Sequence, residues 1–144
     1  MKEYTVKIYE DGAKEWYLNG QLHRLDGPAI EWASGSKAWY MNGQLHREDG
    51  PAAIMSNGDK AWYLNGKQHR EDGPAVERES GTKKWYLNGQ LHREDGPAVE
   101  WASGDKKWYI NGLPLTEAEF KQRGQSCAGK VIEIDGKKYE LTEI

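Results

Sequence analysis

The sequence predicts an all-β fold: an antiparallel β-meander, or ribbon, of about five 23-residue hairpin repeats with a short C-terminal helix and a closing hairpin as cap. Three observations predict it. Trp16, Trp39, Trp62, Trp85 and Trp108 recur every 23 residues, and each is followed by Tyr, an aliphatic residue and Asn-Gly. Asn-Gly between such segments is the strongest short hairpin signal, because a type I′ turn needs positive φ at both central residues. Glycine supplies 17 of the 144 residues, which favours many turns over long helices. A fixed period of this length means stacked supersecondary units in place of one conventional core.

The elements follow in order. Residues 1–15 read as an N-terminal capping half-repeat, in which Tyr4, Val6 and Ile8 alternate along a strand that would cover Trp16. Residues 16–112 are the repeat array. Each copy starts with a short strand, Lys-x-Trp-Tyr-Leu, and turns at Asn-Gly. A longer bent strand then runs from Gln-Leu-His-Arg through Ala-Val-Glu-Trp. Proline has no N–H for a ladder, so Asp-Gly-Pro must sit at a bend or bulge. Gly35, Gly58, Gly81 and Gly104 mark the second turn, and Lys37, Lys60, Lys83 and Lys106 follow two residues later. Two strands per copy advance the array by roughly 9–10 Å.

Residues 113–144 read as the C-terminal cap. Thr116-Glu-Ala-Glu119 is a capping box, and Phe120 to Arg123 complete a short helix before Gly124. Val131–Ile134, Asp135-Gly136 and Lys137–Leu141 read as the closing hairpin, with Ile132, Ile134, Tyr139 and Leu141 on one face. Caps of this kind keep a ribbon from pairing edge to edge.

Strand alternation sets two aromatic rows on opposite faces. The Trp row is the expected core, with Leu22, Leu45 and Leu91, the prolines at 28, 51, 74 and 97, and Trp32 or Trp101 as covers. Tyr17, Tyr40, Tyr63, Tyr86 and Tyr109 form the second row, which core packing alone does not explain.

Composition excludes several classes. No apolar run approaches a membrane span, and the N-terminus MKEYTVKIYEDG lacks the apolar stretch of a signal peptide. A single cysteine, Cys127, allows no internal disulfide framework, so the expected compartment is a reducing cytoplasm. With 23 acidic against 20 basic residues, long duplex nucleic acid is disfavoured, and no polybasic cluster suggests a membrane surface.

The four His-Arg-x-Asp-Gly-Pro-Ala stretches, beginning at His23, His46, His69 and His92, invite a metal or catalytic reading. Metal fails on distance: equivalent histidines lie about 9–10 Å apart, whereas one zinc gathers its ligands at about 2.1 Å. Catalysis fails on repetition, because an active site is one asymmetric constellation and here there are near-identical copies. Each Arg is instead expected to pair with its own Asp, as Arg47 with Asp49. No catalytic residue, metal or cofactor is expected. What survives is a binding surface of Tyr40, Tyr63 and Tyr86 with Arg47, Arg70 and Arg93 and His46, His69 and His92. Stacking and anion contacts on it suit a partner protein, or a small nucleotide held by Arg and Tyr.

The W-x-x-N-G-x-x-H unit over residues 4 to about 112 resembles the MORN repeat, a β-hairpin array. It departs from that pattern where Arg24, Arg47, Arg70 and Arg93 replace the Gly after His, and where Asp-Gly-Pro-Ala replaces a Gly-x-Gly step. It is most similar to a MORN-like group with W-Y-L-N-G-x-x-H-R-x-D-G-P-A, found in tailed phages, giant viruses and some bacteria. Thr116-Glu-Ala-Glu-Phe120 also resembles that group. The resemblance implies a phage-encoded, non-enzymatic interaction protein that blocks a host component, for example one of anti-phage defence. A nucleotide-sequestering protein and a structural scaffold ribbon are the alternatives; the oligomeric state is left open.

Overall fold

A computed structural model describes residues 2–123 and 131–140. The fold is nearly all β: one long antiparallel meander with a single short helix among the described residues. The main sheet has twelve strands, ordered along the chain from Tyr4–Ile8 to Leu113–Leu115. Each inner repeat contributes two of its strands, such as Ala53–Ile54 and Lys60–Ala61, which pair with each other and with the adjacent repeats.

Both turns follow from glycine chemistry. The Asn-Gly pairs adopt φ of 49–51° at Asn and 78–80° at Gly, the type I′ geometry that splays neither strand. Gly35, Gly58, Gly81 and Gly104 have φ of 92–102° and close the opposite turns.

The expected strands are shorter than the sequence pattern suggests. In the three inner repeats the Lys-x-Trp-Tyr-Leu strand breaks at Trp, giving Lys37–Ala38 and Tyr40–Met41 in the first of them. There the Trp39 N–H donates to the Ala52 carbonyl at 2.7 Å, while its own carbonyl accepts the His46 N–H at 3.0 Å. The chain thereby leaves the main sheet and enters a separate small hairpin, Tyr40–Met41 with Gln44–Leu45. Only the end copies keep the strand whole, as Lys14–Leu18 and Lys106–Ile110.

The long bent strand is likewise two short pieces around a loop. Arg47 donates its N–H to the Tyr63 carbonyl of the next copy at 3.1 Å, so the loop is held across the repeat boundary. Gly66 N–H to the Leu45 carbonyl, at 2.9 Å, joins the same two copies. The small hairpins thus form a second stack beside the main sheet.

The innermost residues are small. Ala29, Ala52, Ala75 and Ala98 are 0% exposed, and Ile30, Ala53, Val76 and Val99 beside them are buried. The carbonyl of each of these four alanines accepts the Trp N–H of its own copy, so a fully buried alanine stands where the two stacks meet. The Trp side chains are half-buried, which corrects their expected place as the core.

Their expected cover also differs. The register sets Leu22 opposite Tyr17, Leu45 opposite Tyr40 and Leu91 opposite Tyr86, so these leucines share the Tyr face. Trp32 and Trp101 stand 40% and 37% exposed at the turn edge, away from the Trp row.

At the N-terminal end Tyr4–Ile8 pairs fully with Lys14–Leu18, and Val6 lies opposite Trp16. At the other end Glu117–Arg123 forms the helix. Thr116 Oγ1 accepts the Glu119 N–H at 3.1 Å, the N-cap bond of the expected capping box, while Glu119 Oε1 accepts the Thr116 hydroxyl at 3.1 Å in place of the backbone N–H. Phe120 then lies 6.4 Å from Trp108, centroid to centroid. In this copy Leu115 and Thr116 stand where His and Arg stand in the others, so Phe120 meets the Trp that has no arginine. Val131–Ile134 pairs with Lys137–Glu140, with Ile132 opposite Tyr139. The expected helix stop at Gly124 and the hairpin end at Leu141 lie outside the described residues.

Candidate functional site

The meander has two unlike faces. One carries the Trp, His and Arg side chains. The other carries the tyrosines. Alternation along Trp62-Tyr63-Leu64 separates them: Trp62 and Leu64 line a cleft with His69 and Arg70, while Tyr63 lines a depression with Leu45, Ala53 and Val76.

On the first face every arginine lies in a sandwich. The Arg24, Arg47, Arg70 and Arg93 guanidinium carbons are 3.9–4.0 Å from the ring centroids of Trp16, Trp39, Trp62 and Trp85. The other side of each rests on Gly27, Gly50, Gly73 or Gly96, where an added Cβ would meet Arg Cζ at 2.9–3.1 Å. Glycine is needed there for space, and none of the four has positive φ.

The edges of each guanidinium are also engaged. Arg70 Nε donates to Asp72 Oδ1 at 3.0 Å, and Nη1 donates to the Pro74 carbonyl at 3.0 Å and to Glu77 Oε1 at 3.1 Å. Arg47 pairs with Asp49 at 3.0 Å as the sequence suggests, but Ile54 stands where the other copies have that glutamate.

The histidines link copies. His46 Nδ1 accepts the backbone N–H of Asn65 at 2.9 Å, His69 that of Asn88 at 3.0 Å and His92 that of Asn111 at 2.9 Å. An Nδ1 that accepts carries no hydrogen itself, so the ring N–H is on Nε2. That nitrogen faces Glu48, Glu71 or Glu94 at 3.5–3.6 Å. Among the described residues, no three His, Cys, Asp or Glu side chains converge as a metal site.

The turn edge carries a parallel zipper that residue-type reasoning missed. Ser36 Oγ accepts the Ser56 N–H at 2.9 Å, Asp59 Oδ1 the Glu79 N–H at 2.8 Å and Thr82 Oγ1 the Ala102 N–H at 3.1 Å. The signal was a small oxygen-bearing residue at one phase of four successive turns, Ser36, Asp59, Thr82 and Asp105. The Glu79 amide foremost, with the Arg78 and Asn57 contacts, holds the Asp59 carboxyl below its ordinary value against a smaller desolvation effect.

On the second face Tyr40, Tyr63 and Tyr86 are half-buried in a row over the buried Ala53 and Val76. Burial raises the Tyr40 and Tyr86 hydroxyls above the ordinary value, and the Tyr63 hydroxyl between them adds to it. Exposed Trp32, Met55 and Trp101, with Arg78, recur at one phase along the turn edge of this face. The nine residues expected to form one surface are therefore divided, tyrosines on one face and His and Arg on the other. Neither a scan against protein-family models nor a search of curated proteins finds a match to this chain.

Proposed function

We propose that this chain is a non-enzymatic protein-interaction ribbon that engages its partner along the tyrosine face. The observation that carries this reading is the row of half-buried Tyr40, Tyr63 and Tyr86 flanked by exposed Trp32, Met55 and Trp101. Tyr, Trp, Met and Arg are enriched in interfaces, and Arg78 stands at the same phase between Met55 and Trp101. In the viral setting implied by the resemblance to the MORN-like phage group, the partner is a host cytoplasmic protein. The chain would act by occupying it, as an antagonist of a defence component does.

The nucleotide-sequestering alternative is weakened by the arginines. Their Nε and Nη1 donors are already given to Asp and Pro, and exposed carboxylates surround them. Affinity capture from host lysate tests the reading, with Tyr63→Ala/Tyr86→Ala as the comparison. A specific protein retained by the wild type and lost by the double variant, at unchanged melting temperature, supports it. Equal capture by both would move the surface elsewhere. A thermal shift with a nucleotide and no captured protein would favour sequestration.

A further inference from the structure

We infer that the Trp–Arg face is a second docking surface, for an extended basic peptide segment with Lys or Arg at every third residue. Between one His-Arg-x-Asp-Gly-Pro loop and the next lie three equivalent clefts of about 600, 610 and 650 Å³. The middle one has Trp62 and Leu64 as its apolar floor and Glu48, Asp49, Glu71 and Asp72 at its rim. Its arginines, Arg47 and Arg70, are stacked on Trp39 and Trp62, with side chains 22–24% exposed. The four rim carboxylates are 85–86% exposed, so two inward cations stand against four outward anions.

An apolar floor under an acidic rim matches an amphipathic cation. The stem of a Lys or Arg lies on indole and leucine while its charged head reaches carboxylate. A small anion meets net repulsion there. The pitch selects the partner's spacing: one repeat is two strands, about 9–10 Å, and one three-residue turn of a polyproline II chain rises about 9.3 Å and returns a side chain to the same face. A peptide running along the ribbon therefore offers one cation to each cleft in turn. Charge complementarity of this kind gives specificity and salt-sensitive association.

The inference concerns the face opposite the tyrosines and stands apart from the proposed function. The probes are two fluorescein-labelled peptides of equal composition, Arg-Gly-Ser-Arg-Gly-Ser-Arg and Arg-Arg-Arg-Gly-Ser-Gly-Ser, followed by anisotropy at low salt with the full chain. The periodic peptide is expected to bind about tenfold tighter than the clustered one. The triple variant E48Q, E71Q and E94Q should lose most of that binding. Among the described residues, the polar partner of each of these glutamates is His Nε2 at 3.5–3.6 Å, and the carboxylates are 83–85% exposed, so the melting temperature should hold. Tyr63→Ala should leave peptide binding unchanged, which separates this surface from the tyrosine face. Equal affinity for the two peptides would reduce the effect to charge alone and overturn the proposal, as would full binding by the triple variant. Sedimentation showing that the chain instead associates with itself, and that E48Q, E71Q and E94Q abolish it, would name a second copy as the occupant and overturn it too.

Discussion

The Arg70 guanidinium carbon lies 4.0 Å from the Trp62 ring centroid, and the opposite side of the same group rests on Gly73. The stack recurs in the first, second and fourth copies, and it explains three features of the repeat together. Trp supplies the ring, Arg the planar cation, and Gly the absence of a Cβ. Asp72 and the Pro74 carbonyl then fix the fork in its plane. Each of the first four copies thus builds its Trp cover from its own loop, and the wall of each cleft is the same stack.

Gly73→Ala should destabilise although its backbone needs no special φ. The new Cβ would sit 3.0 Å from Arg70 Cζ. Arginine is flexible and can move away, but only by leaving Trp62 and its three acceptors, Asp72, the Pro74 carbonyl and Glu77. The loss combines one cation–π contact with hydrogen bonds to a charged group, on the order of 1–3 kcal/mol. Urea melts check it, and in an Arg70→Ala background the same glycine change should cost almost nothing.

Ala75→Leu should be among the most damaging single changes. Ala75 is 0% exposed, and its carbonyl accepts the Trp62 N–H at 2.7 Å. Added methylenes in a packed site cost about 1–3 kcal/mol, and here they would also push the two stacks apart. Trp62→Ala should fall at or below the low end of the usual 3–5 kcal/mol for aromatic truncation, because Trp62 is only half-buried. Denaturant midpoints of the two variants give the comparison.

Much of this was legible in the sequence. The 23-residue phase, both turns and the Thr116 capping box follow from Asn-Gly, Gly and Thr-x-x-Glu chemistry acting within a few residues. What lies between copies was not legible from spacing. The alternation that puts Trp62 and Tyr63 on opposite faces also sends Leu45 to the tyrosine side, and only the hairpin register reveals that. The central role of Ala52 and Ala75 was visible only as an alanine at the same phase of all four loops, where composition gives a small residue little weight. Arg70 reads locally as a surface partner of Asp72, and the stack on Trp62 needs the loop to fold back.

His69→Ala should loosen one repeat boundary more than the whole fold. It removes the acceptor for the Asn88 N–H, a bond made at 3.0 Å between residues 19 apart. Asn88 is exposed, so water replaces part of the loss, and the net cost should be about 0.5–1.5 kcal/mol. Amide exchange should rise at Asn88 while Asn65, served by His46, keeps its protection. Uniform loss of protection along the chain would contradict a local link.

Phe120→Ala should uncover Trp108. The two rings are 6.4 Å apart, and no arginine occupies the position that covers the other tryptophans. A red shift and stronger quenching of tryptophan emission would report it. A variant that also places arginine at Thr116, the position matching Arg93, should recover part of the effect only if the following loop can bring Arg over the ring. Since the helix starts one residue later, at Glu117, no recovery is expected.

The tyrosines give the ribbon a defined response to alkali. Burial raises the Tyr40 and Tyr86 hydroxyls, and the hydrogen bond from Tyr17 to Glu15 pushes Tyr17 up from 10.0 to about 12. In each case the folded state holds its proton to higher pH than the unfolded chain does. Their contribution to stability is therefore fully present below pH 10 and is lost as pH rises through the folded values, for Tyr17 about 12. Absorbance at the phenolate band should show one late-titrating component that Tyr17→Phe removes and Glu15→Gln shifts downward. Tyr40→Phe and Tyr86→Phe should each remove a component above the ordinary tyrosine range without touching the last one. If all the tyrosines ionised together near the ordinary value while the fold remained intact, the Tyr17–Glu15 bond and the half-buried setting of the row would both be refuted.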